Sequence, residues 1–299
     1  MIAFNIYSPV DKIEHPLLTE HDVDLFIKRD DQIHPFISGN KWRKLKYNLL
    51  KAEQENKKHL VTFGGAWSNH LLATACAAAK FGFKSTGFVR GEELSNEVLF
   101  LCQLFGMTLK FIDRESYRDK RSLFNVHCDD AIDYFIDEGG SGPEAAIGCA
   151  ELVSELPEEY DHIFCAAGTG STSAGIINGL LHHNYTTKMN IVPVLKGADY
   201  LQDEIKKLLI TESEFDFHTQ YHFGGYAKTN PDLLDFIKDF SKQTGILLDP
   251  IYTGKTVYAI FDLISKKHFP RGSKILAIHT GGLFGLLGMK EKFSFNVVS

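Results

Sequence analysis

The chain has 299 residues, 44% of them hydrophobic and 23% charged, the composition of a globular protein able to bury one large or two medium cores. A formal charge of -6 at pH 7 supplies no basic footprint for nucleic acid, and no apolar run approaches the roughly 18 residues of a membrane span. The five cysteines form no CxxC pair and the thirteen histidines show no metal-ligand spacing, so free thiols in a reducing cytoplasm and no metal site are expected.

In chain order, the first distinctive stretch is SGNKWRK at 38–44. Ser38-Gly39-Asn40 suits a tight turn or the close approach of a flat ligand, and it delivers Lys41 to the mouth of whatever follows. Behind it, Leu45, Leu49 and Leu50 fit helical spacing, with Lys44 expected on the exposed side. The apolar run HLVTF (59–63) leads into FGGAWSNH (63–70), where Ser68 or Asn69 is placed to cap an Ala-rich helix that Gly82 ends. STGFVR (85–90), helical VLFLCQLFG and MTLKFI (107–112) follow. The polar stretch 113–134 reads as irregular. HIFCAAG (162–168) runs into GTGSTSAG, then come NIVPVL (190–195), a helix NPDLLDFIKDFSKQT closed by Gly245, and KILAIHTG (274–281).

Strands alternating with helices predict an α/β fold: open, parallel-type sheets covered by helices, with ligands at the carboxyl ends of the strands. Three such junctions are rich in small and hydroxyl residues: FGGAWSNH, GTGST and HTGG. The loop Gly168, Thr169, Gly170, Ser171, Thr172 offers unhindered N–H groups at a helix start, which suits a phosphate; a plain capping loop is the alternative. Ser173 stands where a dinucleotide fingerprint needs its third glycine, and Asp249 where the TGKT at 253–256 would need the leading glycine of a nucleoside-triphosphate loop. A reactive lysine, a phosphate cradle and a polar loop point to pyridoxal phosphate held as a Schiff base, for which lysine is the suitable amine.

SGNKWRKLKYNL, GGAWSNH, GTGSTSAG, LDPIYTGK (248–255) and HTGG, in that order, resemble the 1-aminocyclopropane-1-carboxylate (ACC) deaminase / D-cysteine desulfhydrase family. The resemblance spans about residues 25–285. It implies a fold type II pyridoxal phosphate enzyme, with a large cofactor domain from residues 1–48 and 155–299 and a small inserted domain from 49–154. It further implies that Lys41 carries the cofactor, that Asn69 meets the ring 3-hydroxyl, and that Ser68 faces the substrate carboxylate or reacting carbon. Gly168 to Thr172 would bind the phosphate, Tyr226 and Tyr252 approach cofactor and substrate, and Thr280 reach the pyridine nitrogen. A cytoplasmic homodimer acting on a small amino acid is implied as well.

Two positions divide the family. Its deaminase branch has Glu after the tyrosine of the DPxY block and HLGG as the last block, where this chain has Thr253 and Thr280. Both are the desulfhydrase-like choice, so α,β-elimination from D-cysteine or a similar D-amino acid is expected, with ACC ring opening as the alternative. A binding protein that keeps the fold without the chemistry is the remaining reading. Trp67 and Leu72 depart from the family's usual Gln and Arg, which would alter the surroundings of the substrate.

Overall fold

The computed structural model describes residues 2, 3 and 5–295. The chain begins with β1 (Val10–Ile13), α1 (Pro16–His21), β2 (Asp24–Lys28) and α2 (Asn40–Gln54). It continues through β3 (His59–Gly65), α3 (Asn69–Phe81), β4 (Lys84–Arg90), α4 (Glu97–Leu104), β5 (Met107–Ile112), α5 (Lys120–His127) and β6 (Asp133–Ile136). Then come α6 (Pro143–Ser154), β7 (His162–Ala167), α7 (Ser171–His183), β8 (Lys188–Pro193), α8 (Tyr200–Lys206) and β9 (Asp216–Phe217). Helices α9 (Pro231–Thr244) and α10 (Thr253–Ser265), strand β10 (Lys274–Ile278) and a 3-10 segment, Leu283–Lys292, complete it.

The strands form two sheets. One has the order β1-β2-β10-β7-β8-β9 and is parallel apart from the β1–β2 pair; the other, β5-β4-β3-β6, is wholly parallel. The four-stranded sheet uses strands between His59 and Ile136, and the six-stranded sheet uses strands on either side of that interval. Helices cover both faces of such sheets, which is why β7 is buried at every position and β3 at all but its ends. Helix ends follow local chemistry. Ser68 Oγ accepts from the Leu71 N–H to start α3, and Gly82 ends it in the left-handed region at φ 78°.

The polar stretch 113–134 is more ordered than its composition suggests. It contains α5, and Tyr117 and Phe124 are buried against Phe63 and Phe88. Strands β1, β2, β6 and β9 were not legible as apolar runs because they are short or carry charges, as in VDKI and DLFIK. Strand β10 stops at Ile278, short of the expected 281, because the chain turns through Gly281 at φ 68°.

Helix α2 joins the two halves. Trp42, Leu45, Leu49 and Ala52 pack into a cluster with Leu60, Ala73, Ala77 and Ile136 from the four-stranded sheet and its helix. Arg43 carries ion pairs to Asp30, just after β2, and to Glu155, just after α6. Close approach of α2, α6 and α7 depends on glycine. A Cβ on Gly148 would fall 1.9 Å from the Arg43 carbonyl oxygen, and one on Gly175 would fall 2.5 Å from that of Ala146.

Gly148→Ala should therefore destabilise the protein. Overpacking typically costs about 1–3 kcal/mol, against about 0.5–1 kcal/mol that alanine gains over glycine in a helix. Urea denaturation with an unchanged or higher midpoint would contradict this packing.

Candidate active site

The site is built from strand-to-helix loops and the first turn of α2. Lys41, Asn69, Gly168, Thr169, Gly170, Thr172, Tyr252 and Thr280 line one cavity, together with Asn40, Lys44 and Gly139, to which the sequence assigned no part in holding a ligand. Gly39 explains why a glycine precedes the lysine. It sits at φ 60°, and a Cβ there would fall 1.9 Å from the Thr280 carbonyl oxygen, which the Asn40 N–H approaches at 3.2 Å. The chain segments 38–40 and 279–282 interlock here. The Asn40 side chain then spans the cleft: its Oδ1 accepts from Lys41 Nζ at 2.9 Å and its Nδ2 donates to Thr172 Oγ1 at 3.0 Å. Burial, with the charge of Lys44 as the second cause, lowers the Lys41 amine from its ordinary 10.5 to about 7.

Lys44 is the main correction to the sequence reading. It is only 4% exposed, and its Nζ donates to the Gly139 carbonyl and to Thr169 Oγ1, both at 3.3 Å. Residues i and i+3 share a helix face, so a first turn that points Lys41 into the cleft brings Lys44 with it. Burial lowers this amine too. Opposite it, Gly170 begins α7 at φ 82° with no side chain capping the first turn. The N–H groups of that turn, the helix dipole and the Lys44 ammonium together suit a phosphate.

Asn69 Oδ1 is buried in the cavity without a hydrogen-bond partner, a costly arrangement that a donor on a bound ligand would relieve. A reactive amine, an anion cradle and an unpaired amide oxygen around one cavity fit a planar phosphorylated aldehyde. Tyr252 packs over Gly168, where a Cβ would fall 3.2 Å from its ring, and burial followed by the neighbouring Tyr226 holds its phenol well above the ordinary value. Tyr226 stands edge-on to it, ring centroids 6.2 Å apart, and is 49% exposed.

Other residues singled out in the sequence, Tyr226 among them, are not part of the cavity lining. Ser171 is buried behind it, its Oγ accepting from the Gly142 N–H at 3.3 Å. Ser68 uses its oxygen to cap α3, accepting at 3.3 Å, and keeps a hydroxyl proton to donate. Thr253 is turned inward, donating to Asp249 Oδ1 at 2.8 Å, so its hydroxyl is committed to the start of α10. Leu72 belongs to a core cluster with Val98 and Leu99, and the Trp67 ring lies against Gly288, where a Cβ would come within 2.6 Å of it. These two departures from the family pattern therefore take part in packing.

Residues 7–281 match the family model described as pyridoxal-phosphate dependent enzyme. A Thermotoga maritima protein provisionally named a 1-aminocyclopropane-1-carboxylate deaminase is 31% identical over 95% of this chain and 96% of its own length. The Arabidopsis thaliana mitochondrial bifunctional D-cysteine desulfhydrase/1-aminocyclopropane-1-carboxylate deaminase is 31% identical over 93% of this chain and 77% of its own. Among solved structures, an ACC deaminase homologue superposes with a TM-score of 0.84 at 28% identity, covering 97% of this chain and 93% of that one. Threonine deaminase isoform 2 of Solanum lycopersicum shares the fold at a TM-score of 0.72 and 15% identity, covering 95% and 82% of the two chains.

The lowered amine has a direct consequence. Only a neutral amine is nucleophilic, so in protein freed of cofactor the carbamylation rate of Lys41 by cyanate should rise with pH and reach half its maximum near 7, where an ordinary lysine does so near 10.5. Mass analysis of the peptide carrying Lys41 reads this rate; a midpoint near 10 would contradict the buried environment.

Proposed function

The chain belongs to the pyridoxal-phosphate dependent enzymes, within the ACC deaminase / D-cysteine desulfhydrase family of fold type II, and on that premise we propose that it eliminates the β-substituent of D-cysteine or a similar small D-amino acid. The observation that carries this reading is the Lys41 amine, lowered to about 7 and set in one cavity with the GTGST turn and the unpaired Asn69 oxygen.

Pyridoxal phosphate, when bound, supplies an aldehyde that condenses with amines and a ring that accepts electron density from Cα. In our proposal Lys41 Nζ holds the aldehyde carbon, the first turn of α7 and Lys44 hold the phosphate, and Asn69 holds the ring 3-hydroxyl. Thr280, in the cavity lining, would offer its hydroxyl to the pyridine nitrogen. A neutral donor leaves that nitrogen unprotonated, whereas a carboxylate would favour its protonation. This weaker electron sink suits a substrate that has an α-proton to lose and a good leaving group, and it disfavours opening of a cyclopropane, which has no α-proton.

Within that assignment, the Lys41 amine would take the α-proton of the substrate. Its value near 7 leaves an appreciable neutral fraction at physiological pH and still lets it return a proton, the compromise that general acid–base catalysis requires. Ser68 hydroxyl donates to the substrate carboxylate, and Tyr226 and Tyr252 flank the reacting carbon with protonated phenols. The balanced result for D-cysteine and water is pyruvate, ammonia and hydrogen sulfide. We propose the domain division 1–48 with 155–299 and 49–154, and a cytoplasmic homodimer. Five free cysteines, four of them buried, accord with a reducing compartment.

The test is parallel turnover of D-cysteine, L-cysteine and ACC by the purified holoenzyme. Pyruvate and sulfide from D-cysteine, at a higher kcat/KM than either competitor, is the expected result. Faster release of 2-oxobutanoate from ACC would instead assign the deaminase reaction.

A further inference from the structure

The TGK triplet at 253–255 is left unused by the site as described, yet Lys255 is fully buried. Its Nζ donates to the carbonyl oxygens of His222 at 2.8 Å and Gly225 at 2.9 Å. Both belong to the loop His222–Lys228, which carries Tyr226. A second lysine reaches the same loop from the C-terminal 3-10 segment: Lys292 Nζ donates to the Ala227 carbonyl at 3.0 Å.

This loop needs holding. Phe223 and Ala227 have φ of 52° and 55°, and Gly224 and Gly225 between them have 93° and 116°. Residues with a Cβ rarely adopt such backbone, and it persists only where the surroundings enforce it. The enforcement comes largely from α10. Phe223 packs edge-on against Tyr258, centroids 5.0 Å apart, while Lys255, one turn earlier on α10, gathers two of the loop carbonyls. Tyr252, which lines the cavity, lies one turn earlier again and meets the ring of Tyr226 edge-on. One helix therefore sets both tyrosines, one directly and one through a loop fastened by a cation.

We propose that Lys255 and Lys292 are positioning residues that fasten the loop His222–Lys228 and so hold Tyr226 against Tyr252, a residue of the cavity wall. The proposal rests on the reading that Tyr226 faces the substrate. A buried ammonium suits the task because it offers three donors from one point and binds carbonyls more strongly than a neutral donor does.

The test uses the holoenzyme and three variants: Lys255→Met, which keeps the length of the side chain, and the exposed pair Lys292→Met and Lys292→Arg. Hydrogen exchange of the peptide spanning 222–229 should accelerate about tenfold or more in Lys255→Met and by a smaller factor in Lys292→Met. Lys292→Arg, which keeps a cation, should restore the wild-type rate. KM for the amino acid should rise in step with loop exchange, with kcat changed less and the visible absorbance of the bound cofactor retained. Unchanged loop exchange in both methionine variants would overturn the proposal. If Lys255→Met does not fold, the Lys292 pair alone decides it: unchanged exchange in Lys292→Met, or no rescue by Lys292→Arg, overturns it equally. Faster exchange with an unaltered KM would support the fastening and remove Tyr226 from the substrate site, so failure of the functional reading is seen separately.

Discussion

The buried guanidinium of Arg43 fixes the rotation of α2, from which both lysines of the site project. It donates to both oxygens of Asp30, at 2.5 and 2.7 Å, and to both oxygens of Glu155, at 2.9 and 2.8 Å, while Lys28 reaches Glu155 at 2.9 Å. Burial alone would raise the Glu155 carboxyl, but Arg43 and Lys28 beside it hold it below the usual carboxylate range. Such a network contributes little net stability compared with apolar packing, yet removing one partner typically costs about 3–5 kcal/mol because the others stay buried and unpaired. Its value lies in orientation. Arg43 is two residues from Lys41, so pinning one side chain to the six-stranded sheet sets the rotation of α2 and aims the other at the cavity.

That rotation also determines the electrostatics. With Arg43 turned to its carboxylates and Trp42 and Leu45 sunk in the apolar cluster, Lys41 and Lys44 are the side chains left to face the cleft. Both amines lose hydration on burial and fall in consequence, and Lys41 is lowered further by the charge of Lys44 one turn away. Placing an uncapped helix N-terminus opposite them makes the cavity attractive to a dianion and hostile to a second cation. In the proposed assignment, one feature thus serves both the phosphate and the amine that would condense with the cofactor.

The loops were the legible part of the sequence. Small residues at strand ends have few purposes, and the Gly39, Gly168–Thr172 and Thr280 segments meet around one cavity as strand-end loops of an α/β sheet should. Helix ends marked by Ser68, Gly82 and Gly245 were readable for the same reason, since capping chemistry is local. Lys44 was not readable: a charged residue at helical spacing is ordinarily solvated, and only the tertiary position of α2 buries it. Lys255 was hidden likewise, because its partners are backbone carbonyls thirty or more residues away that no side-chain pattern records. The short strands β1 and β9 draw their definition from neighbours in the sheet, beyond the reach of periodicity.

Lys41 and Lys44 share the cavity and both are lowered, so chemistry must decide which one bonds the cofactor. The most direct measurement is borohydride reduction of the holoenzyme followed by proteolysis and mass mapping of the cofactor adduct. The orientation imposed by Arg43 and the contact between Lys41 and Asn40 predict a single adduct on Lys41, lost in Lys41→Ala together with the visible absorbance. An adduct on Lys44, or on any lysine other than Lys41, would contradict the assignment and the mechanism built upon it.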